Sequence, residues 1–304
     1  MSSVLENFKK TFSLSTASAI MFIQTAPNRY KFHTIQKRHG GVREIAQPTK
    51  SLKIVQRWVI NQYFQNCPIH EAATAYIKEK GILDHAKAHK SNKYLLKLDF
   101  KNFFNSINIQ DFYEFINKSM SKFSGEDRDI LGLLLFCKAK DDNYYLSIGA
   151  PSSPYISNII LYEFDCLIQE MCSNKDVIYT RYADDLAFST NTPYVLADIL
   201  CDIKYILSNL EYPKNLELNQ EKTVFLSRKH NRTLTGLVIS NSGKISIGRN
   251  KKRKLRAAVH NAISNKLTSK EIQTLKGRIA FLKGIDREFA IKLEQQLQSV
   301  NLCK

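Results

Sequence analysis

Three aspartates have the types and spacing to do chemistry together. Asp184 and Asp185 are adjacent in the run IYTRYADDLAFS, and Asp99 closes the apolar run Tyr94-Leu95-Leu96-Lys97-Leu98. Adjacent carboxylates repel each other unless a cation neutralises them. An all-oxygen set of this kind suits Mg2+. Two such ions can activate an attacking 3′ hydroxyl and stabilise a departing pyrophosphate, which is the chemistry of nucleotidyl transfer. Taken alone, an aromatic-x-Asp-Asp tetrapeptide is a weak motif, and an acidic hairpin tip in water would read the same way.

The elements that must position these residues are legible in the apolar spacing. DVIYTRYADDLAFST reads as two short strands around a tight turn, with Asp184 and Asp185 at the tip, and KYLLKLDF reads as a central strand ending at Asp99. YKFHTIQKRHGGVREIAQP predicts a hairpin around Gly40-Gly41, closed by Pro48. Leu52, Val55, Val59, Ile60 and Tyr63 fall on one helical face, and residues 109–140 carry two further apolar stripes. SPYISNIILYEFDCLIQEM predicts one long helix after Pro154, and residues 191–210 another. TLTGLVIS and KISIG predict one strand each. From Gly248 onward the pattern is helical in three segments. Residues 1–24 predict one amphipathic helix and no signal peptide, which points to the cytoplasm.

Composition narrows the partners. The chain has 304 residues and a net charge of +17. From Lys222 onward there are 19 basic and 4 acidic residues, against 26 and 24 before it. Such asymmetry implies a polyanion held by the C-terminal part. The stretch Arg249-Asn250-Lys251-Lys252-Arg253-Lys254-Leu255-Arg256 is its densest part. Leu255, Val259, Ile263 and Leu267 follow at helical spacing, so one face can pack while the other lies along a duplex backbone. A second helix with Lys276, Arg278 and Lys283 could read a structured RNA by shape. The six cysteines form no CxxC pair, which argues against zinc or a disulfide framework. No run of about 18 apolar residues is present, so no membrane partner is expected.

Five segments occur in a fixed order: KLDFKNFFNSI, SIGAPSSPYISN, IYTRYADDLAFS, LNQEKTVFLS and TLTGLVIS. Together they resemble the palm motifs of reverse transcriptases, over roughly residues 30–250. Within that class the chain looks most like a bacterial retron reverse transcriptase, given its compact length, the YADD hairpin and TGLVIS followed by KISIGR. The resemblance implies an α+β right-hand polymerase fold with fingers, a ferredoxin-like palm and an α-helical thumb. Residues 1–93 would form the N-terminal helix and fingers, 94–239 the palm with a finger insertion at about 106–145, and 240–304 the thumb.

The resemblance also implies roles. Asp99, the Phe100 carbonyl, Asp184 and Asp185 would hold two Mg2+ ions. Phe104 would lie under the incoming sugar and exclude a 2′ hydroxyl, a reading that its register with Asp99 favours over a core residue beside Phe103. Lys37 and Arg43, on either side of the Gly40-Gly41 turn, would hold the triphosphate. Gly149, Ala150 and Pro151 would form a turn close to the nucleotide, with Ser152 and Ser153 capping the helix that follows. Ile148 replaces the glutamine usual in the family. Lys222 would donate a proton to the leaving pyrophosphate. Thr235, Gly236 and Leu237 would grip the primer, and Arg249, Lys251, Lys252, Arg253, Lys254 and Arg256 the RNA–DNA hybrid. The stretch His85-Ala86-Lys87-Ala88-His89 departs from the retron-like NAxxH pattern at its first position. A metal site on that His pair is weakly supported against a structural role.

The implied activity is RNA-directed DNA synthesis from deoxynucleoside triphosphates on a cognate structured non-coding RNA. Its product would be a branched, 2′-hydroxyl-primed DNA, made in a phage-defence system with a separate effector protein. Two alternatives stay open on the sequence: an intron-type reverse transcriptase, or a non-catalytic RNA-binding scaffold on the same fold.

Overall fold

The computed structural model describes residues 2–36, 40–139 and 142–298. At its centre is a four-stranded antiparallel sheet of β3 (Tyr94–Asp99), β6 (Ile178–Tyr182), β7 (Asp185–Thr190) and β8 (Val224–Ser227), in the order β6-β7-β3-β8. β3 is apolar on both faces because both are covered. Leu96 and Leu98 face one core with Leu186 and Phe188 of β7. Leu95 and Ala187 face a second core. The period of two therefore puts Asp99 and Asp185 on the face of the second core.

The first core is shared with α8 (Ser153–Ile160), α9 (Tyr162–Ser173) and α10 (Val195–Asn209), through residues such as Ile156, Phe164, Ile168, Ile199 and Ile203. It continues into the N-terminal region. There α1 (Ser3–Phe12), α2 (Thr16–Thr25) and α3 (Lys50–Val59) gather with α6 (Ile109–Ser119) and α7 (Gly125–Leu135). Asp127 joins the two stretches of chain. It accepts hydrogen bonds from the Ser2 hydroxyl at 2.5 Å and from the Val4 amide at 2.8 Å, and it also completes the capping box of α7. The hairpin of β1 (Tyr30–Gln36) and β2 (Val42–Pro48) projects from this cluster, largely exposed. α4 (Ile82–Ala88) packs on β6 and joins the second core, while the one-turn α5 (Phe103–Ser106) lies against the short pair β4 (Cys137–Lys138) and β5 (Tyr144–Tyr145).

The second core joins the sheet to a helical unit. β9 (Arg232–Leu234), β10 (Leu237–Ile239) and β11 (Ile245–Ser246) form a three-stranded sheet. Leu234, Leu237 and Ile239 pack with Leu255, Val259, Leu275, Ile279, Leu282 and Phe289 of α11 (Arg249–Ile263), α12 (Ser269–Lys283) and α13 (Arg287–Gln298). No helix among the described residues is long and apolar enough to cross a membrane.

Several elements differ from the sequence expectation. The N-terminal segment is two helices, because Ser13 adopts a left-handed conformation that ends α1 and Ser15 caps α2. The helix after Pro154 breaks at Leu161, whose backbone leaves the helical region. TLTGLVIS is a hairpin and not one strand, since Thr235 and Gly236 both take positive φ. α11 ends at Ile263, so Leu267 lies beyond the helix that its spacing suggested. Ser152 occupies the N-cap of α8 but makes no capping bond, and the buried hydroxyls of Ser152 and Ser153 have no partner among the described residues.

Candidate active site

The register of β3 with β7 sets Asp99 directly opposite Asp185. Between β6 and β7 the chain turns in two residues, Ala183 and Asp184. Ala183 takes φ +56°, which bends the tip back over the sheet end. The Phe100 amide then donates to the Asp184 carbonyl at 3.1 Å and ties the tip to the residue after Asp99. Three aspartates thus lie at one strand end and the adjoining turn.

The chain before β8 is stitched to the same end. The Asn219 amide donates to the Asp99 carbonyl at 2.7 Å and the Lys101 amide to the Glu217 carbonyl at 2.8 Å. This places the short turn Gln220–Lys222 beside the carboxylates. Lys222 Nζ donates to Asp99 Oδ1 at 2.7 Å while its side chain stays half exposed.

Electrostatics follow from this packing. Burial, then the Asp184 and Asp99 charges, push the Asp185 carboxyl up to about 6. Asp184 is also raised, by burial first and the Asp99 charge second, with Lys222 and Arg43 opposing. Among the described residues no three His, Cys, Asp or Glu side chains are already gathered as a metal cluster. The donor set still fits a hard divalent ion: the three acidic side chains offer only oxygens, two of them are made harder to ionise by burial and neighbouring carboxylate charge, and a lysine supplies interim positive charge.

The other expected residues divide. Phe104 lies on α5, half buried and packed on Phe103, with its ring centroid 6.4 Å from that of Tyr76. The Phe100 ring is buried against Phe103 and Phe164, which leaves only its backbone to face the carboxylates. Arg43 is exposed on β2, and its charge is felt at both Asp184 and Tyr76. Lys37 lies outside the described residues.

Gly149 takes φ +117°, and a Cβ there would sit 3.2 Å from Ile45 Cγ2 and 3.3 Å from the Ala46 carbonyl. Its lack of a side chain therefore allows the close approach of β2. Ala150 is buried and Pro151 half buried.

Thr235 and Gly236 form the turn between β9 and β10, and Lys251 Nζ donates to the Gly236 carbonyl at 2.8 Å. Leu237, expected to touch nucleic acid, is a buried member of the second core. Of the basic run, Arg249, Lys251, Arg253, Lys254 and Arg256 are exposed. Lys252 is not available: it turns inward to pair with Asp286 and lies 4.8 Å from the Phe289 ring centroid, because α13 packs on that side of α11. A groove of about 610 Å3 runs between the 235–237 turn and α11 and α12, with Lys251, Lys254, Arg278 and Phe281 on its walls. His85 and His89 are fully buried. His89 bonds Ser189 and Thr180, each at 2.7 Å, and His85 bonds the same Thr180 hydroxyl at 2.7 Å, so the pair braces β6 and β7 from beneath.

Two features escaped the sequence reading. One is the buried pair of Arg181 and Asp165, with Asn158, behind the strand that leads to Asp184. The other is Tyr76, from an irregular segment with no apolar period to reveal it, which lies beside Asp184 and Phe104.

A family profile described as reverse transcriptase (RNA-dependent DNA polymerase) matches residues 35–239. The chain belongs to the reverse transcriptase family and is an RNA-directed DNA polymerase. Within that family it belongs with the bacterial retron enzymes. It is 40% identical to the Retron Ec83 reverse transcriptase of Escherichia coli, over 88% of this chain and 86% of that one. It is 32% identical to the Retron Ec73 reverse transcriptase of the same organism, over 93% and 92%. It is 28% identical to the Retron Mx162 reverse transcriptase of Myxococcus xanthus, over 92% and 64%. The fold is similar to that of apo telomerase from Candida Tropicalis, at TM-score 0.51 and 15% identity, over 89% of this chain and 58% of that one. This places it among right-hand polymerases.

Proposed function

We propose that the chain copies part of a cognate structured RNA into a branched, 2′-hydroxyl-primed single-stranded DNA, and that Asp99, Asp184 and Asp185 hold two Mg2+ ions for this reaction. The observation that carries the catalytic part is the placement of three aspartates and Lys222 at one end of β3. When bound, the ions supply the charge that activates the primer hydroxyl and that steadies the pyrophosphate as it leaves. The Phe100 carbonyl is a further oxygen ligand in this reading. In the transfer, the hydroxyl oxygen bonds to the α-phosphorus and its proton passes to solvent water, while the bond from the α-phosphorus to pyrophosphate breaks.

The chain's own groups supply the rest. Lys222, released from Asp99 once another cation balances that charge, gives a proton to the departing pyrophosphate. Arg43, on an exposed finger strand, offers a planar fork to the triphosphate. The Phe104 ring fills the space that a 2′ hydroxyl would need. The exposed face of α11 and the 235–236 turn hold the hybrid through its phosphates. The same reading extends, on the resemblance to retron enzymes, to a cytoplasmic role in phage defence with a separate effector protein.

The product is tested by sequencing the nucleic acid that co-purifies with the protein from its native host. One discrete RNA–DNA species, whose strands stay joined under denaturing conditions until a debranching step, is expected. Linear DNA or heterogeneous templates would point to an intron-type enzyme instead.

A further inference from the structure

Tyr76 is placed at considerable conformational cost. It takes φ +62°, a left-handed conformation that an aromatic residue seldom adopts. Such strain persists only where the surroundings over-determine it, and it concentrates at functional sites. Here the surroundings do so. Ala73 pairs with Arg181, and the Thr74 amide and hydroxyl both donate to the Arg181 carbonyl, at 2.8 and 3.0 Å. Asn158 Nδ2 donates to the Ala75 carbonyl at 3.0 Å, and Arg181 in turn grips Asn158 and Asp165. The backbone up to Tyr76 is therefore fastened to the strand that carries Asp184 three residues later.

The ring does not gain burial in return. Ala72, Ala73 and Ala75 are buried, yet Tyr76 is 49% exposed. It leans toward Phe104 with the rings tilted by 47°. Asp184 and Tyr182 raise its phenol after burial does, and Arg43 acts the other way, so it stands among the carboxylates and the finger cation. A nucleotide with its phosphates at Arg43 and the carboxylates, and its sugar on Phe104, has its sugar beside this ring.

We propose that Tyr76 is a second determinant of sugar selection, its ring forming with Phe104 a two-sided wall around the deoxyribose of the incoming nucleotide. This rests on the reading of Phe104 as the sugar gate. The contact is made by the ring, and the hydroxyl is dispensable. The strained backbone exists to hold the ring out of the core and in the pocket.

The test compares kcat/KM for a deoxynucleotide and the matching ribonucleotide on an RNA template. The variants are Tyr76→Phe, Tyr76→Ala, Tyr76→Gly and, as a reference, Phe104→Ala. Glycine accepts φ +62° freely, so Tyr76→Gly removes the ring while melting no lower than Tyr76→Ala. Tyr76→Phe should keep the wild-type ratio. Tyr76→Ala and Tyr76→Gly should lower it by about tenfold, mainly through a lowered KM for the ribonucleotide. Loss of kcat with an unchanged ratio would overturn the proposal and leave Tyr76 a structural residue. A changed ratio in Phe104→Ala alone would also overturn it while sparing the Phe104 gate. No change in any variant would remove both.

Discussion

Burial first, and neighbouring carboxylate charge second, make Asp184 and Asp185 costly to ionise, and the metal-free protein bears that cost. Replacing both by asparagine removes that cost. Asp184→Asn plus Asp185→Asn should therefore melt higher than wild type at neutral pH without metal, and gain less from added Mg2+. Differential scanning fluorimetry with and without Mg2+ reads this directly; an equal Mg2+ response would contradict the assignment of these ligands. His85 gives a pH signature. Burial, then the Lys97 charge, hold it down at about 4, below an unfolded value near 6.5. Between those values the unfolded chain binds the extra proton, so stability falls as pH drops from about 6.5 toward 4. His85→Asn keeps a polar partner for Thr180 without a titrating ring. It should lessen that decline in urea melts taken across this range, leaving the part due to His89, which burial holds down in the same way; an unchanged slope would rule His85 out as a source.

At the scale of elements, what could be read in advance depended on period and punctuation. The β3 strand and the β6–β7 hairpin were legible because alternation and a two-residue turn fix which side chains share a face. Asp99 opposite Asp185 follows from that register. Lys252 was not legible. It sits in a basic run whose members look alike, and only Asp286, 34 residues further on, distinguishes it from exposed Arg253. Gly149 was legible as a special backbone position but not as a spacer for β2, since that approach joins distant parts of the chain. Tyr76 gave no signal, because its segment has no regular period and its placement depends on bonds to Arg181 and Asn158. Arg181 and Asp165 form a fully buried pair, so Asp165→Ala would strand a buried guanidinium. It should cost about 3–5 kcal/mol in denaturant melts. A loss under about 1 kcal/mol would show that the pair does not hold β6.

At the scale of the molecule, two cores share one sheet, and the charge lies beyond the second. The exposed face of α11 and the groove beside it supply the positive surface, while Lys252 and Asp286 fasten α11 to α13. These roles separate experimentally. Arg253→Ala plus Lys254→Ala should weaken binding of an RNA–DNA hybrid and make its salt dependence shallower, by about 0.7–0.9 in log–log slope for each phosphate left without its cation. Lys252→Ala should lower thermal stability and leave that slope unchanged. The reverse pattern would mean that the basic run faces the hybrid differently from its exposure here. The most direct measurement of the central claim is deoxynucleotide incorporation on a primed RNA template with Mg2+, comparing wild type with the folded Asp184→Asn plus Asp185→Asn variant. Incorporation by wild type and none above background by the variant is the predicted result. Equal incorporation by the two would contradict it.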